Sequence, residues 1–236
     1  FPITIFDIIA NLSRSSRGEY ELTDAVNQLV QDTSMKACPV SFFRDVGYPW
    51  DLLDANQDLM DYISFTNEGS IEDQVTLHGK VRIGPGTVVK SGCYLQGPIV
   101  IGRDCVIGPN CYLRPATSIG DTCHIGAATE IKNSVIMNNT TIPHHNYVGD
   151  SVIGSGCNLG SGTKIANLRL DKKTVFVDHE KERINTGRRK LGCIMGDMVQ
   201  TGINSMINTG SLIGNNVLIG PGAVVSGRVD SESRIE

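Results

Sequence analysis

The sequence contains no long apolar run and little charge, and the charge that it has is almost balanced. No stretch reaches the ~18 uninterrupted apolar residues that a membrane-spanning helix needs. Charged residues make up 19% of the 236 residues, and 21 Lys and Arg stand against 25 Asp and Glu, for a formal net charge of −4. Binding to nucleic acid needs a basic surface. We therefore expect neither a membrane nor a nucleic acid as a partner.

Cysteine pairing motifs are also missing. None of the seven cysteines belongs to a C-x-x-C pair, so the usual signatures of zinc sites and thioredoxin-like redox sites are absent. This usage favours a reducing compartment, and we expect the chain to be cytoplasmic. Residues 1–10 are apolar but carry neither an initiator Met nor the basic leader of a signal peptide. This suggests that the chain begins inside a longer gene product.

Up to residue 66 the pattern is that of a short α/β segment. Residues 22–30 have apolar side chains at helical spacing, with Thr23 as the candidate N-cap. A second helix is predicted over residues 49–56. Its apolar stripe consists of Leu52, Leu53 and Leu59.

From Ile71 onward an aliphatic residue recurs at every sixth position. The positions run without exception from Ile71 to Met137, and a small or β-branched residue follows each of them four positions later. The pattern resumes between Met195 and Val225. A repeat of fixed length indicates an architecture with one structural unit per repeat.

A period of six fits neither an α-helix nor a simple alternating strand, but it fits one side of a flat prism, made of a short strand and a tight corner. Three sides form one coil, in which both repeat positions point inward and stack on their equivalents about 4.8 Å along the axis. Cys93 and Cys111 are one such coil apart, as are Cys105 and Cys123. We interpret them as small inward apolar groups rather than as a redox or metal site.

The repeat is interrupted after Met137. Its phase slips by one residue around residues 143–147, and residues 166–193 leave the coil. Nine basic and four acidic residues lie between Lys164 and Lys190. This local excess of positive charge favours a small anionic ligand, and a solvated charged loop is the alternative.

Polar residues spaced along the repeat resemble a known family. They are Arg114, Lys132, the H-x-x-Y-V-G-D motif of residues 144–150, the N-L-G-S-G-T motif of residues 158–163, and Asn167. With the hexads, they resemble the left-handed β-helix acetyltransferase domain of bifunctional sugar-1-phosphate nucleotidyltransferase/acetyltransferases, especially archaeal ones. The resemblance covers residues 67–236 and implies a mainly β fold, a left-handed parallel β-helix of hexapeptide repeats with a basic insertion at residues 166–193. The handedness comes from the resemblance, because the general crossover rule would make it right-handed.

The preceding stretch, residues 1–66, resembles the last third of the nucleotidyltransferase domain of that family. Glu19 resembles its sugar-contacting Glu, and Asp45 resembles one of its metal-binding Asp residues. The Gly-rich loop and basic residues that hold a nucleoside triphosphate there are absent from this sequence, and Asp45 alone cannot hold Mg²⁺ against a triphosphate. We therefore expect no nucleotidyltransferase activity from this chain alone. Asp45 would become a metal ligand only with the other half of that domain present.

The resemblance implies that His144 is the general base of acetyl transfer. A neutral imidazole can take the proton of an attacking amine near neutral pH. His145 is the competitor, and the three-residue spacing to Tyr147 in the family motif selects His144.

The remaining implied roles concern the ligands. Contacts with the phosphate or sugar fall on Arg114, Lys132 and Lys173, and further substrate contacts fall on Tyr147, Asn158 and Asn167. The backbone at Ser161, Gly202 and Gly220 would hold the pantetheine arm of acetyl-CoA, because glycine allows a close backbone approach. The alternative for each cation is an exposed surface charge, and for Asn158 a corner residue.

The implied function is acetyl-CoA-dependent N-acetylation of glucosamine 1-phosphate or galactosamine 1-phosphate in UDP-N-acetylhexosamine synthesis, by a homotrimer. Two departures leave the amino sugar open. Ser161 stands where the family usually has Ala, and residues 168–171 read Leu-Arg-Leu-Asp where it often has Tyr-Asp. Two alternatives remain: a uridylyl- or thymidylyltransferase fragment whose β-helix serves only trimer assembly, and a non-enzymatic trimerisation module.

Overall fold

The protein is described by a computed structural model that covers residues 1–179 and 182–236. The chain forms two compact units, residues 1–44 and residues 45–236. In the described chain, three helices precede Thr66, where the strands begin. The helices of the expected α/β segment are therefore present, whereas no strand precedes Thr66 among the described residues.

The first unit is a pair of helices with a small core. The helices are α1 (Ile5–Ala10) and α2 (Leu22–Asp32). Their buried side chains are Ile5, Ala25 and Leu29. The helix predicted over residues 22–30 is confirmed, but Thr23 is not its N-cap. Glu21, in an extended conformation, takes that position, so Thr23 already lies inside the first turn.

The second unit contains helix α3 (Asp51–Met60), which confirms the helix predicted over residues 49–56 and extends it. The Asp51 carboxylate stabilises the start of this helix. It accepts backbone N–H bonds from Gly47 at 3.1 Å and from Tyr48 at 2.8 Å.

The predicted apolar stripe of α3 is wrong at Leu59. This side chain is 64% exposed, whereas Leu53 is 1% and Met60 is 2% exposed. Leu53 and Met60 lie about two turns apart and therefore share one face. Leu59 falls on a different side of the helix from these two residues, and its side chain therefore lies outside the core.

The rest of the second unit is built from short strands. In chain order they are β1 (Thr66–Asn67), β2 (Ser70–Ile71), β3 (Thr76–His78), β4 (Val81–Ile83), β5 (Val88–Val89), β6 (Tyr94–Gln96), β7 (Ile99–Ile101), β8 (Val106–Ile107), β9 (Tyr112–Leu113), β10 (Thr117–Ile119), β11 (His124–Ile125), β12 (Glu130–Lys132), β13 (Val135–Ile136), β14 (Thr141–Ile142), β15 (Tyr147–Gly149), β16 (Val152–Ile153), β17 (Asn158–Leu159), β18 (Lys164–Ile165), β19 (Phe176–His179), β20 (Glu182–Asn185), β21 (Cys193–Met195), β22 (Gln200–Thr201), β23 (Met206–Ile207), β24 (Ser211–Ile213), β25 (Leu218–Ile219), β26 (Val224–Val225), β27 (Arg228–Val229) and β28 (Arg234–Ile235).

All of these strands except β19 and β20 form a three-sided β-helix. Sheet 1 has the order β1-β4-β7-β10-β13-β16-β21-β24-β27, sheet 2 the order β2-β5-β8-β11-β14-β17-β22-β25-β28, and sheet 3 the order β3-β6-β9-β12-β15-β18-β23-β26. Neighbouring strands are parallel and come from successive coils, so that Ile99 pairs with Val81 on one side and with Thr117 on the other. The predicted left-handed parallel β-helix of hexapeptide repeats is confirmed.

The inward side chains of the coils form the core that the hexads predict. The four spaced cysteines belong to it, each at most 1% exposed. Their thiols donate to backbone carbonyls of the next coil, as Cys111 does to Gly126 at 2.9 Å and Cys105 to Gly120 at 3.0 Å. The interpretation of these cysteines as small inward groups is confirmed.

The phase of the repeat slips at two corners between sheet 3 and sheet 1, and the predicted slip around residues 143–147 is wrong. The inward Ile131 is followed by the inward Ile136, and the inward Val148 by the inward Ile153. Each interval is one residue shorter than the hexad. The segment that contains the histidine motif lies between the two slips and is itself in regular phase.

Each slip removes one residue from a corner. Pro115 and Ala116 together turn this corner in the preceding coil, whereas Asn133 and Asp150 each turn it alone, with φ of 44° and 52°. Because of the first slip, Met137, predicted to face inward, lies outside the core and packs on the outer side of sheet 1.

An apolar column on the outer face of sheet 1 is covered by α3 and the insertion. The column consists of Val135, Val152, Ile194 and Leu212. The side chains packed over it are Trp50, Leu53, Val175, Val177 and Leu191. Strands β19 and β20 pair as an antiparallel hairpin, and Arg188 Nη1 lies 2.5 Å from Asp54 Oδ1 of α3. The insertion at residues 166–193 is therefore a packed element of the unit as well as a charged one.

We expect Leu53→Ala to lower the free energy of unfolding by about 2–5 kcal/mol, because it leaves a cavity between α3 and sheet 1. Leu59→Ala, on the same helix, should change it by no more than about 0.5 kcal/mol. Thermal unfolding of the full chain, followed by circular dichroism, compares the two variants. Equal losses of Tm would contradict the packed face described above.

Candidate active site

The corner between sheet 2 and sheet 3 carries His144. Strand β14 ends at Ile142, Pro143 follows, and the exposed His144 stands at the turn. His145 has a left-handed backbone with φ of 52°, and its carbonyl oxygen accepts a hydrogen bond from Lys164 Nζ. Because the two residues differ in backbone conformation, we expect their imidazoles to leave the corner in different directions.

The same edge of the prism carries the three residues predicted to contact acetyl-CoA. Its corners stack through backbone hydrogen bonds, from Gly162 N–H to the His144 carbonyl at 3.0 Å and from Asn204 N–H to the Ser161 carbonyl at 2.8 Å. Gly202 and Gly220 begin the corners of the next two coils. We call residues 143–145, 160–162, 202–204 and 220–222 the His144 edge.

Close backbone contact requires glycine at several positions of the His144 edge. A Cβ on Gly160 would lie 2.5 Å from the carbonyl carbon of Gly202, and one on Gly202 would lie 2.5 Å from the nitrogen of Pro221. No side chain fits at these positions, so glycine is what lets successive coils stack closely at this edge.

A second histidine lies near this edge on the outer face of sheet 2. His124 pairs with Thr141 in the sheet. Burial lowers the pKa of His124, and the neighbouring Lys90 and His144 lower it further. His124 is therefore neutral at neutral pH and adds no positive charge beside His144.

Five polar side chains meet where strand β15 turns into sheet 1. This Asp150 cluster consists of Lys132, Asn133, Tyr147, Asp150 and Asn167. Asp150 Oδ2 accepts from Lys132 Nζ at 3.2 Å and from Asn167 Nδ2 at 2.5 Å, while Oδ1 accepts from Asn133 Nδ2 at 2.7 Å. Asn167 Nδ2 also donates to the Tyr147 hydroxyl at 3.2 Å. Three predicted substrate contacts, Lys132, Tyr147 and Asn167, are thus brought together.

Arg114 lies on the same face of sheet 3 and is paired with Glu130. Its Nη1 is 2.9 Å from Glu130 Oε1, and this hydrogen bond raises the pKa of Arg114. The guanidinium carbon lies 5.6 Å from the ring centre of Tyr112. The two predicted phosphate ligands on sheet 3 are therefore both matched by carboxylates, and their side chains remain 35% exposed for Arg114 and 19% exposed for Lys132.

Tyr147 is held as a neutral phenol. Burial raises the pKa of Tyr147, and the carboxylates of Glu130 and Asp150 raise it further. Because the phenol oxygen accepts a hydrogen bond from Asn167, its own hydrogen is available to donate elsewhere. Tyr147 can thus serve a ligand as a hydrogen-bond donor.

Two predicted substrate contacts lie outside both groups. Asn158 is exposed on sheet 2, where it pairs with Thr141 of the coil that leads to His144. Lys173 is exposed on the insertion. With Lys172, Phe176 and Arg189 it borders an open concavity of about 420 Å³. Within one chain, neither side chain belongs to the His144 edge or to the Asp150 cluster.

The positive charge of the insertion is partly compensated by neighbouring carboxylates. Among the described residues of the insertion, the ion pairs are Arg169 with Asp171 at 2.6 Å, Arg183 with Asp178 at 3.8 Å, and Arg188 with Asp54 at 2.5 Å. Glu180 and Lys181, counted among the charges of this segment, lie outside the described residues. Asp171 and Asp178 are already among the acidic residues counted for this segment, so only the pair of Arg188 with Asp54 lowers the expected excess of positive charge.

Glu130, Asn133 and Asp150 were not predicted as members of the site. A signal was present in the coil period, because Asn133, Asp150 and Asn167 follow one another at intervals of 17 residues, the length of a coil that lacks one corner residue. Residues one coil apart lie beside each other on the prism, so this spacing places the three side chains together. Because Asn167 was already a predicted contact, this spacing would have added Asn133 and Asp150.

Two further properties concern the described residues only. In residues 1–179 and 182–236, no helix is long and apolar enough to cross a membrane. In the same residues, no group of three or more His, Cys, Asp or Glu side chains is arranged to hold a metal ion.

Comparisons with known proteins define the class of protein. Residues 95–208 match the family described as the GMPPB C-terminal domain, and residues 192–227 match the bacterial transferase hexapeptide family of six repeats. The fold and these matches make the chain a hexapeptide-repeat protein of the transferase type.

Curated relatives then show the family. The chain is 47% identical over 224 residues to a bifunctional sugar-1-phosphate nucleotidylyltransferase/acetyltransferase of Sulfurisphaera tokodaii, a match that covers 94% of this chain and 56% of the relative. It is 46% identical over 230 residues to the bifunctional protein GlmU of Methanococcus maripaludis, covering 97% of this chain and 56% of the relative. It is 36% identical over 182 residues to the uncharacterized acetyltransferase YaiX of Escherichia coli, covering 75% of this chain and 79% of the relative. The chain belongs to the hexapeptide-repeat acetyltransferases, and it spans about half the length of the bifunctional relatives that it matches.

Proposed function

We propose that this chain transfers the acetyl group of acetyl-CoA to the amine of an amino-sugar 1-phosphate, either glucosamine 1-phosphate or galactosamine 1-phosphate. The observation that carries the proposal is the course of strand β15. The exposed His144 precedes this strand, and the Asp150 cluster with Lys132 follows it. A base and a phosphate-binding cation therefore flank one short strand. The acetyltransferase activity in the names of the relatives supports the same reaction.

The proposed chemistry assigns the proton transfers to His144. The neutral amine attacks the thioester carbonyl, an N–C bond forms, and the C–S bond to CoA breaks. His144 takes the proton that the amine loses and returns it to the departing thiolate. In this proposal the pantetheine arm lies along the His144 edge, at Ser161, Gly202 and Gly220, which belong to corners stacked in three successive coils.

The proposed acceptor contacts use N–H groups that are not already engaged in hydrogen bonds within the protein. Lys132 has three N–H donors and Arg114 has five, so each can keep its carboxylate partner and still bind a phosphate oxygen. The Tyr147 hydroxyl donates to the sugar or phosphate. Asn167 completes this side of the acceptor site. Thiol release from acetyl-CoA, measured in parallel with glucosamine 1-phosphate and galactosamine 1-phosphate, tests the reaction and identifies the preferred sugar.

We further propose that the chain acts as a homotrimer. Asn158 and Lys173 do not join the Asp150 cluster within one chain, so a site that uses both needs neighbouring copies. Exposed apolar side chains on or beside the His144 edge offer such a neighbour a surface; they are Ile203, Met206, Leu218 and Val224. Sedimentation equilibrium of the full chain should give the mass of three copies. A monomer that retains full activity would contradict this assembly.

We expect His144→Ala to lower kcat by about 10²–10⁴, the usual contribution of a general base. Binding of acetyl-CoA should change little, because the backbone of the His144 edge remains. The matched control is His145→Ala, which should cost far less, since we expect its imidazole to leave the corner in another direction. Steady-state kinetics of thiol release measures both. Equal losses in the two variants would exclude His144 as the specific base.

We expect Arg114→Ala and Lys132→Ala each to weaken acceptor binding by about 1.5–3 kcal/mol, the scale of a hydrogen bond to a charged group. The KM for the amino-sugar phosphate should rise accordingly, and the KM for acetyl-CoA should stay near that of the wild type. Arg103→Ala serves as the control, because Arg103 pairs with Asp121 at 3.3 Å away from the site. If both test variants keep the wild-type KM for the acceptor, Arg114 and Lys132 do not bind the phosphate and are ordinary surface charges.

A further inference from the structure

Asp150 is a buried carboxylate at the centre of the cluster. Its side chain is 4% exposed, and it turns a shortened corner in a left-handed conformation. A carboxylate removed from water is costly unless charge and hydrogen bonds compensate it. Here the compensation comes from Lys132, Asn133 and Asn167.

The three partners of Asp150 come from both neighbouring coils. Lys132 and Asn133 belong to the coil before it, and Asn167 ends the coil after it. Each donor points at a fixed carboxylate oxygen, so its side chain is held in one position relative to the coil of Asp150. Both oxygens are used, so any rotation of the carboxylate other than the equivalent half-turn breaks at least one of the three bonds.

The contacts of Asp150 reach Tyr147 through Asn167. One amide nitrogen of Asn167 bonds both Asp150 Oδ2 at 2.5 Å and the Tyr147 hydroxyl at 3.2 Å. The bond to Asp150 orients the Asn167 amide so that it can also donate to the Tyr147 oxygen. Because that oxygen accepts the bond, the hydroxyl hydrogen of Tyr147 is free to donate. Asp150 thus acts on three groups that the proposed acceptor would touch, and it need not touch the acceptor itself.

We propose that Asp150 is the positioning residue of the acceptor site, holding the Lys132 ammonium and the Asn167 amide, and through Asn167 the Tyr147 hydroxyl, in the arrangement that receives an amino-sugar 1-phosphate. This inference rests on the proposed function. It assigns a role in substrate affinity and orientation to a residue that lies outside the predicted site.

The decisive variant is Asp150→Asn, which keeps the size of the side chain and removes its charge. An amide offers only one accepting oxygen, so at least one of the three partners then faces a donor. We expect kcat/KM for the amino-sugar phosphate to fall about 10- to 100-fold, with the KM for acetyl-CoA unchanged. Asp121→Asn is the matched control, because Asp121 is also a corner aspartate with an Arg partner, and it should alter kcat/KM by less than about 2-fold.

A double-mutant cycle separates positioning from a general structural role. In a Lys132→Ala/Asn167→Ala background, Asp150 has lost the groups that it positions, so adding Asp150→Asn should cost less than about 3-fold. A loss as large as in the wild-type background, or no loss in the wild-type background, would overturn the inference.

Crystal structures of the wild type and of Asp150→Asn provide a test that does not need activity. We expect the Lys132 ammonium and the Asn167 amide to move in the variant. If both stay in place, the positioning role is wrong whatever the kinetics show. If both move but the wild type acetylates neither amino-sugar phosphate, the proposed function fails and the control of these side chains by Asp150 stands.

Discussion

The structure depends on one constraint, the stacking of inward side chains at a fixed coil spacing. Each inward position must hold a side chain that fits above and below its equivalents, which is why Ile, Leu, Val, Thr, Ser and Cys fill the core columns. The chain can leave this stack only at a corner. The insertion does so after sheet 3 and returns to sheet 1, so the order of coils on either side of it is undisturbed.

This constraint also explains how much of the fold could be predicted. The hexads define sheets, inward faces and the core cysteines, because a period fixed by stacking is visible in the sequence. The slip that occurs at Asn133 was predicted too late in the sequence. A missing corner residue shows only as a shift of the following aliphatic positions, and the apolar Met137 continues the old spacing for one more repeat. Leu59 and Thr23 were misassigned for a different reason: the face of a short helix is set by what it packs on, and the N-cap by the conformation of the residue before it.

Only part of the candidate site could be predicted, because the slips in the repeat also hide which side chains of neighbouring coils meet. The resemblance named Lys132, Tyr147 and Asn167, which the structure brings together, and His144, whose role stays a prediction. The partners of these residues were not expected, because ion pairs between coils depend on the register after the slips. Glu130 and Asp150 change the character of the site. Arg114 and Lys132, the cations that we propose for the phosphate, are already matched by carboxylates, so the proposed ligand would be bound by the directions of the remaining N–H groups rather than by net positive charge alone.

The shortened corners at Asn133 and Asp150 set a limit for protein design on this scaffold. A designer who restored the missing residue at each corner would obtain a more regular solenoid with uninterrupted hexads. The restored corner residue would lie between strand and turn, and it would carry the Asp150 carboxylate away from Lys132 and Asn167. Regularity of the repeat and assembly of this polar cluster are therefore competing goals, and the irregular positions in such a sequence are the ones that an idealised version should leave untouched.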